Sequence, residues 1–86
     1  MHEKKLEIRG INRKELTTYL LQIGATTNNN YNFVGDNWSC QVSEEDHFHM
    51  FQSLIPKVKL VFHTSDLDTL SKVIDSFRKK TFRAGG

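Results

Sequence analysis

The sequence contains one cysteine, Cys40, and one proline, Pro56, in 86 residues. A single thiol can neither close an internal disulfide nor build a multi-cysteine metal cage, which excludes a disulfide-stapled scaffold and a zinc-ribbon type of site. Uninterrupted apolar runs are only a few residues long, far short of the roughly 20 needed to cross a bilayer, and "MHEKKLEIRG" contains no apolar leader segment. A cytoplasmic protein with no membrane partner is expected. Glycine is scarce too: Gly10, Gly24 and Gly35 stand singly, and the remaining two, Gly85 and Gly86, come last. No glycine-rich loop cradles a phosphate, and no serine, histidine and acid triad or zinc-protease signature is present. Neither an enzyme nor a metal- or cofactor-binding protein is expected.

What is there suits one small folded domain. Apolar residues make up 37% and charged residues 26%, ordinary for a soluble chain, and 86 residues are too few to divide between two cores. One α+β domain over residues 1–86 is expected, with a flexible tail at about 83–86. The net charge of +2 is unevenly spread: residues 36–56 carry four acidic and no basic side chains, whereas residues 57–86 carry seven basic and three acidic ones. Such asymmetry suits docking to a protein partner; a nucleic-acid surface would be more basic overall and would carry an aromatic recognition signature that is absent here.

Along the chain, "KKLEIRG" alternates Leu6 and Ile8 with charged residues, the period of a half-buried strand ending at Gly10. Asn12 and Glu15 form a capping box, and Leu16, Tyr19, Leu20 and Ile23 recur at helical spacing up to Gly24, which predicts a helix over 13–23. "ATTNNN" reads as a loop. "YNFVGDNWSCQVS" predicts a hairpin turning at Gly35-Asp36-Asn37. "EEDHFHMFQSLIP" has no clear period and predicts a connector or irregular edge strand ending at Pro56. "KVKLVFH" predicts a strand with Val58, Leu60 and Phe62 inward. Ser65 with Asp68 predicts a second cap, followed by a helix to about residue 80 carrying Leu67, Leu70, Val73, Ile74 and Phe77. Together they predict a ferredoxin-like α+β sandwich in the order β-α-β-β-β-α, its antiparallel sheet covered by two helices on one face, with a short final strand at Thr81–Ala84.

Several residues with chemical capacity have simpler roles. Cys40 lies between Trp38 and Val42 on the inward face of its strand, which makes it a small buried hydrophobe rather than a nucleophile. His47 and His49, with His63, have no specified further ligand and read as solvated or partner-facing. Glu44, Glu45 and Asp46 lack the spaced oxygen ligands of a calcium loop. The ending "RKKTFRAGG" is more informative. Arg78, Lys79 and Lys80 suit the negative end of a helix dipole. With Arg83 they also make a candidate docking patch beside Gly85 and Gly86, whose lack of side chains would let the terminal carboxylate thread into an activating enzyme for adenylation and conversion to a thiocarboxylate or an amide.

The segments "LEIRGI", "LTTYLLQIGA", "NFVGDNWSCQV", "VKLVFHTSD" and "SFRKKTFRAGG" together resemble the small C-terminal domain of proteins related to the molybdopterin synthase small subunit. The resemblance implies a non-catalytic accessory or carrier-like domain in molybdenum-cofactor sulfur chemistry. Its partner would be a protein, an adenylating or molybdopterin-biosynthesis enzyme. The sulfur carriers proper are ubiquitin-like, start with a β-hairpin before their helix, and carry sulfur on a Gly-Gly end. Here a helix directly follows the first strand, so only Gly85 and Gly86 transfer, as the candidate attachment site. Two other expectations stand beside this one: a regulatory or metabolite-binding α+β module, and an interaction domain that self-associates through an uncovered edge strand.

Overall fold

The computed structural model describes residues 2–85, with side chains through Phe82. β1 (His2–Arg9) turns Leu6 and Ile8 onto the core and Glu3, Lys5, Glu7 and Arg9 onto the opposite face. Gly10 takes the left-handed conformation, at φ +89°, to leave the strand. The expected cap starts α1 (Arg13–Gln22), with the Asn12 side chain accepting the Glu15 N–H at 2.8 Å. α1 buries Leu16, Thr17 and Leu20. It closes through paired bonds from Gly24 N–H to Leu21 C=O and from Ala25 N–H to Leu20 C=O, at 3.2 and 3.0 Å, with Gly24 at φ +110°.

The stretch expected as a loop contains a short strand, β2 (Thr26–Thr27), paired with β3 (Asn32–Gly35). Between them the Asn29 side chain accepts the N–H groups of Tyr31 and Asn32, both at 2.9 Å. β3 and β4 (Trp38–Val42) form the expected hairpin, with Asn37 at φ +64°. Glu44 and Glu45 lie in no strand, and the residues after them form a regular hairpin arm rather than a connector. β5 (Asp46–Met50), an edge strand among the described residues as one of the two expectations had it, pairs with the start of β6 (Ser53–Thr64) through a turn at Phe51 and Gln52, both at positive φ. β4 and β5 together run along one side of β6, separated by a bulge. Val42 lies opposite Leu60 and Asp46 opposite Lys57, which leaves one extra residue in the bulged strand.

Pro56 sits inside β6 instead of ending a segment. Its carbonyl accepts the Gly10 N–H at 2.9 Å, so this residue's backbone polar side points toward β1 at the point where β1 stops. The N–H that proline lacks would have had no strand partner there. α2 (Leu67–Gly85) starts one residue later than the expected cap: Asp66, not Ser65, accepts the Thr69 N–H at 2.7 Å. That bond, then the one from the Thr69 hydroxyl, holds the Asp66 carboxyl below its ordinary value.

The sheet order is β1-β6-β4-β3-β2 with β5 also on β6, every described pairing antiparallel. Both helices cover the face bearing Phe33, Cys40, Val58, Leu60 and Phe62; Phe77 of α2 meets Phe62 edge-on at 5.5 Å. The fold is thus α+β with two helices on one face, but the strand arrangement differs from a ferredoxin-like sandwich. That arrangement needs its first strand inside the sheet. Here β1 pairs with β6 alone among the described residues, and Thr81–Ala84, expected as a last strand, belong to α2. Val73 and Phe77 extend the helical stripe far enough to carry the following turns with them.

Candidate functional site

Three surface regions have features beyond ordinary solvation: the second half of α2 with the groove beside it, the tip of the β5–β6 arm, and the junction between α1 and the β4–β5 bulge.

Arg78, Lys79 and Lys80 are consecutive on a helix and therefore point about 100° apart, so they do not form one patch. Arg78 faces the groove between α2 and β1 and lines it along much of its length. Lys79 points away and pairs with Asp75 one turn earlier, at 3.1 Å. Lys80 is half-buried. The Arg83 side chain and Gly86 lie outside the described residues, and Gly85 is the last residue of α2.

Sequence reasoning missed the groove itself. Its upper part, about 780 Å³, is lined by Leu67, Leu70, Ile74 and Arg78 of α2 with Lys4 of β1. Its lower part, about 480 Å³, lies between Leu6, Ile8 and Ile11 on one side and Thr81 and Phe82 on the other. The signal was present in the apolar stripe of α2, which is wider than the core it covers. Val73 and Phe77 are buried, but Leu67 remains 63% exposed and Phe82 81% exposed.

The arm ends in an apolar tip. Phe51 is 94% exposed at the turn, and Met50 and Leu54 are exposed beside it. Below the tip, the Arg9 guanidinium lies 5.1 Å from the centre of the Phe48 ring on the sheet face away from the helices. The histidines separate across the sheet: His47 and His49, paired with Pro56 and Leu54, lie in phase with the core side, whereas His63 faces Ser39 and Glu3 on the other side. Among the described residues no three histidine, cysteine or acidic side chains converge as metal ligands.

At the junction, the acidic run is structural in part. The Glu45 carboxylate accepts the Arg13 N–H at 2.6 Å, at the start of α1 where backbone donors lack partners, and also pairs with His47 at 2.9 Å. Arg13 reaches back over the Tyr31 ring at 4.5 Å and donates to the carbonyls of Ser43 and Asn30. These contacts fasten the bulge to α1, beside a depression of about 380 Å³ lined by Ser43, Glu44, Glu45, Asp46, Lys57 and Lys59.

Cys40 is fully buried between Trp38 and Val42, as its place on the strand predicts. Burial pushes its thiol up to about 12, against a smaller opposing effect from a hydrogen bond with the backbone of Val61. It therefore stays protonated at neutral pH and is no nucleophile. No helix among the described residues is long and apolar enough to cross a membrane.

Comparison with curated proteins finds no match. The family model described as archaeal MoaD-like protein matches residues 4–86, from the first strand through the diglycine. With nearly the whole chain matched, the protein belongs to the archaeal MoaD-like family.

Proposed function

We propose that the protein is a small, non-catalytic accessory or carrier-like domain of molybdopterin sulfur chemistry, working through protein contacts and through the carboxylate of Gly86. The observation that carries this reading is that the family match extends through Gly85 and Gly86. The placement of polar groups agrees with a non-catalytic role: the single thiol is buried and protonated, and Glu45 of the acidic run is engaged at the α1 start. The partner would be an adenylating enzyme that activates the carboxylate, or the molybdopterin-forming enzyme that consumes the sulfur.

Presenting the diglycine to a narrow channel requires the last turn of α2 to unwind. Glycine favours this, since it stabilises a helix interior less than alanine by about 1 kcal/mol and the final carbonyls have no helical partner. Deleting Gly85 and Gly86 is expected to leave the unfolding midpoint unchanged and to abolish function in cells that depend on the protein for molybdenum-cofactor synthesis. Full complementation by the truncated chain would remove the carboxylate from the mechanism.

A further inference from the structure

We propose that β1 is a self-association edge, pairing antiparallel with β1 of a second copy about a two-fold axis at Leu6. One edge of β1 is taken by β6 and the other is unpartnered among the described residues. Gly10 N–H bonds to Pro56 across the β1–β6 ladder, so the even-numbered residues of β1 direct their backbone groups toward β6. By alternation, Glu3, Lys5, Glu7 and Arg9 direct theirs outward, toward an incoming strand.

A second copy fits this edge because the strand is self-complementary. A two-fold antiparallel pairing sets one residue opposite itself and keeps the helices of both copies on the same face of the joined sheet. With Leu6 opposite Leu6, Glu3 faces Arg9 of the second copy and Lys5 faces its Glu7, and the symmetric pairs repeat both contacts. Every directly opposed pair on the open face then joins opposite charges, and every outward backbone group from Glu3 to Arg9 finds a partner. The neighbouring registers fail. Setting Lys5 opposite itself also sets Glu3 against Glu7, and setting Glu7 opposite itself sets Lys5 against Arg9, so both stack like charges.

The α2 groove supplies a second, independent fit. α2 runs along β1 with Leu67 and Leu70 near Lys4 and with Phe82 near Ile8. In the proposed register Lys4 lies opposite Ile8 of the second copy. The exposed Phe82 of each copy therefore comes level with the exposed Leu67 and the upper groove of the other. The apolar surface that the monomer leaves uncovered at the two ends of α2 is matched reciprocally by the same operation that matches the charges.

The test uses disulfide trapping in the full chain, whose own Cys40 is buried and silent. Leu6 occupies a non-hydrogen-bonded pair across the axis, where Cα atoms approach to about 4.5 Å, within the roughly 4.4–6.8 Å that a disulfide spans. Under mild oxidation Leu6→Cys is expected to run as a covalent dimer on a non-reducing gel, whereas Lys5→Cys, offset from its own copy, stays monomeric. Light scattering on the unmodified protein is expected to give twice the chain mass. Glu7→Lys is expected to lower this to a monomer, and the added reversal Lys5→Glu to restore the dimer. A monomer at all concentrations, cross-linking of Lys5→Cys but not Leu6→Cys, or a dimer indifferent to Glu7→Lys would overturn the proposal.

Discussion

Phe62→Ala is expected to lower the unfolding free energy by about 4 kcal/mol, the cost of emptying a large aromatic site in a core that cannot fully collapse. The side chain is fully buried on β6, the strand that β1, β4 and β5 all pair with. Its ring lies 6.0 Å from Trp38 on the sheet and 5.5 Å from Phe77 on α2, so it joins the sheet to the helix. At about 0.05–0.15 kcal/mol per residue, a chain of this size holds a total stability of roughly 4–13 kcal/mol, and one such loss consumes much of it. Urea unfolding followed by circular dichroism measures the change. A loss under about 1 kcal/mol would mean that the core is not organised around this ring. Phe62→Leu, which keeps most of the volume, is expected to cost less than half as much.

Gly35→Ala is expected to have the next largest effect, for the opposite reason. A Cβ at Gly35 would lie 2.1 Å from both Cε2 and Nε1 of Trp38, directly across the β3–β4 ladder. The indole, 7% exposed and packed against Phe62, has little room to retreat, so overpacking is expected to cost about 2–3 kcal/mol. Tryptophan fluorescence is expected to shift to the red as the ring is pushed toward water. The colliding atoms all belong to the indole, and a phenyl ring on the same Cγ would cover nearly the same positions, so it is Trp38→Ala that should relieve the clash. The double variant is then expected to lose clearly less stability than the sum of the two single changes. Strict additivity would show that the glycine is there for another reason.

The same geometry explains which parts of the fold were legible in the sequence. Strands β1 and β4 and the middle of β6 each bury one face, so Leu6 and Ile8, Trp38, Cys40 and Val42, and Val58, Leu60 and Phe62 announce themselves by alternation. The Asn12 cap and the Gly24 ending of α1 are local chemistry and equally visible. The β5–β6 arm was not legible, because the bulge between Val42 and Asp46 shifts the alternation by one residue. The arm also lies beyond the helices, so neither of its faces is deeply buried. Its turn gives no glycine or asparagine signal either, since Phe51 and Gln52 hold the positive φ angles.

Pro56 read as a terminus because a sequence does not tell which edge of a strand lacks a neighbour. Thr81 and Phe82, favourable in strands, read as one until the continuous α2 took them in. The candidate site was legible in composition and not in arrangement. The basic run of residues 78–80 is plain in the sequence, but the helix spreads it around its axis, sending Arg78 to the β1 groove and Lys79 to Asp75. The groove itself depends on where β1 lies against α2, and only the tertiary structure gives that.

The central claim, that Gly86 carries sulfur, is tested most directly by the intact mass of the untagged protein isolated from its own cells during molybdenum-cofactor synthesis. The account expects a species heavier by the exchange of one oxygen for sulfur, localised to the C-terminal peptide and lost when Gly85 and Gly86 are deleted. An unmodified mass under the same demand, in cells whose other sulfur carriers are found loaded, would contradict it.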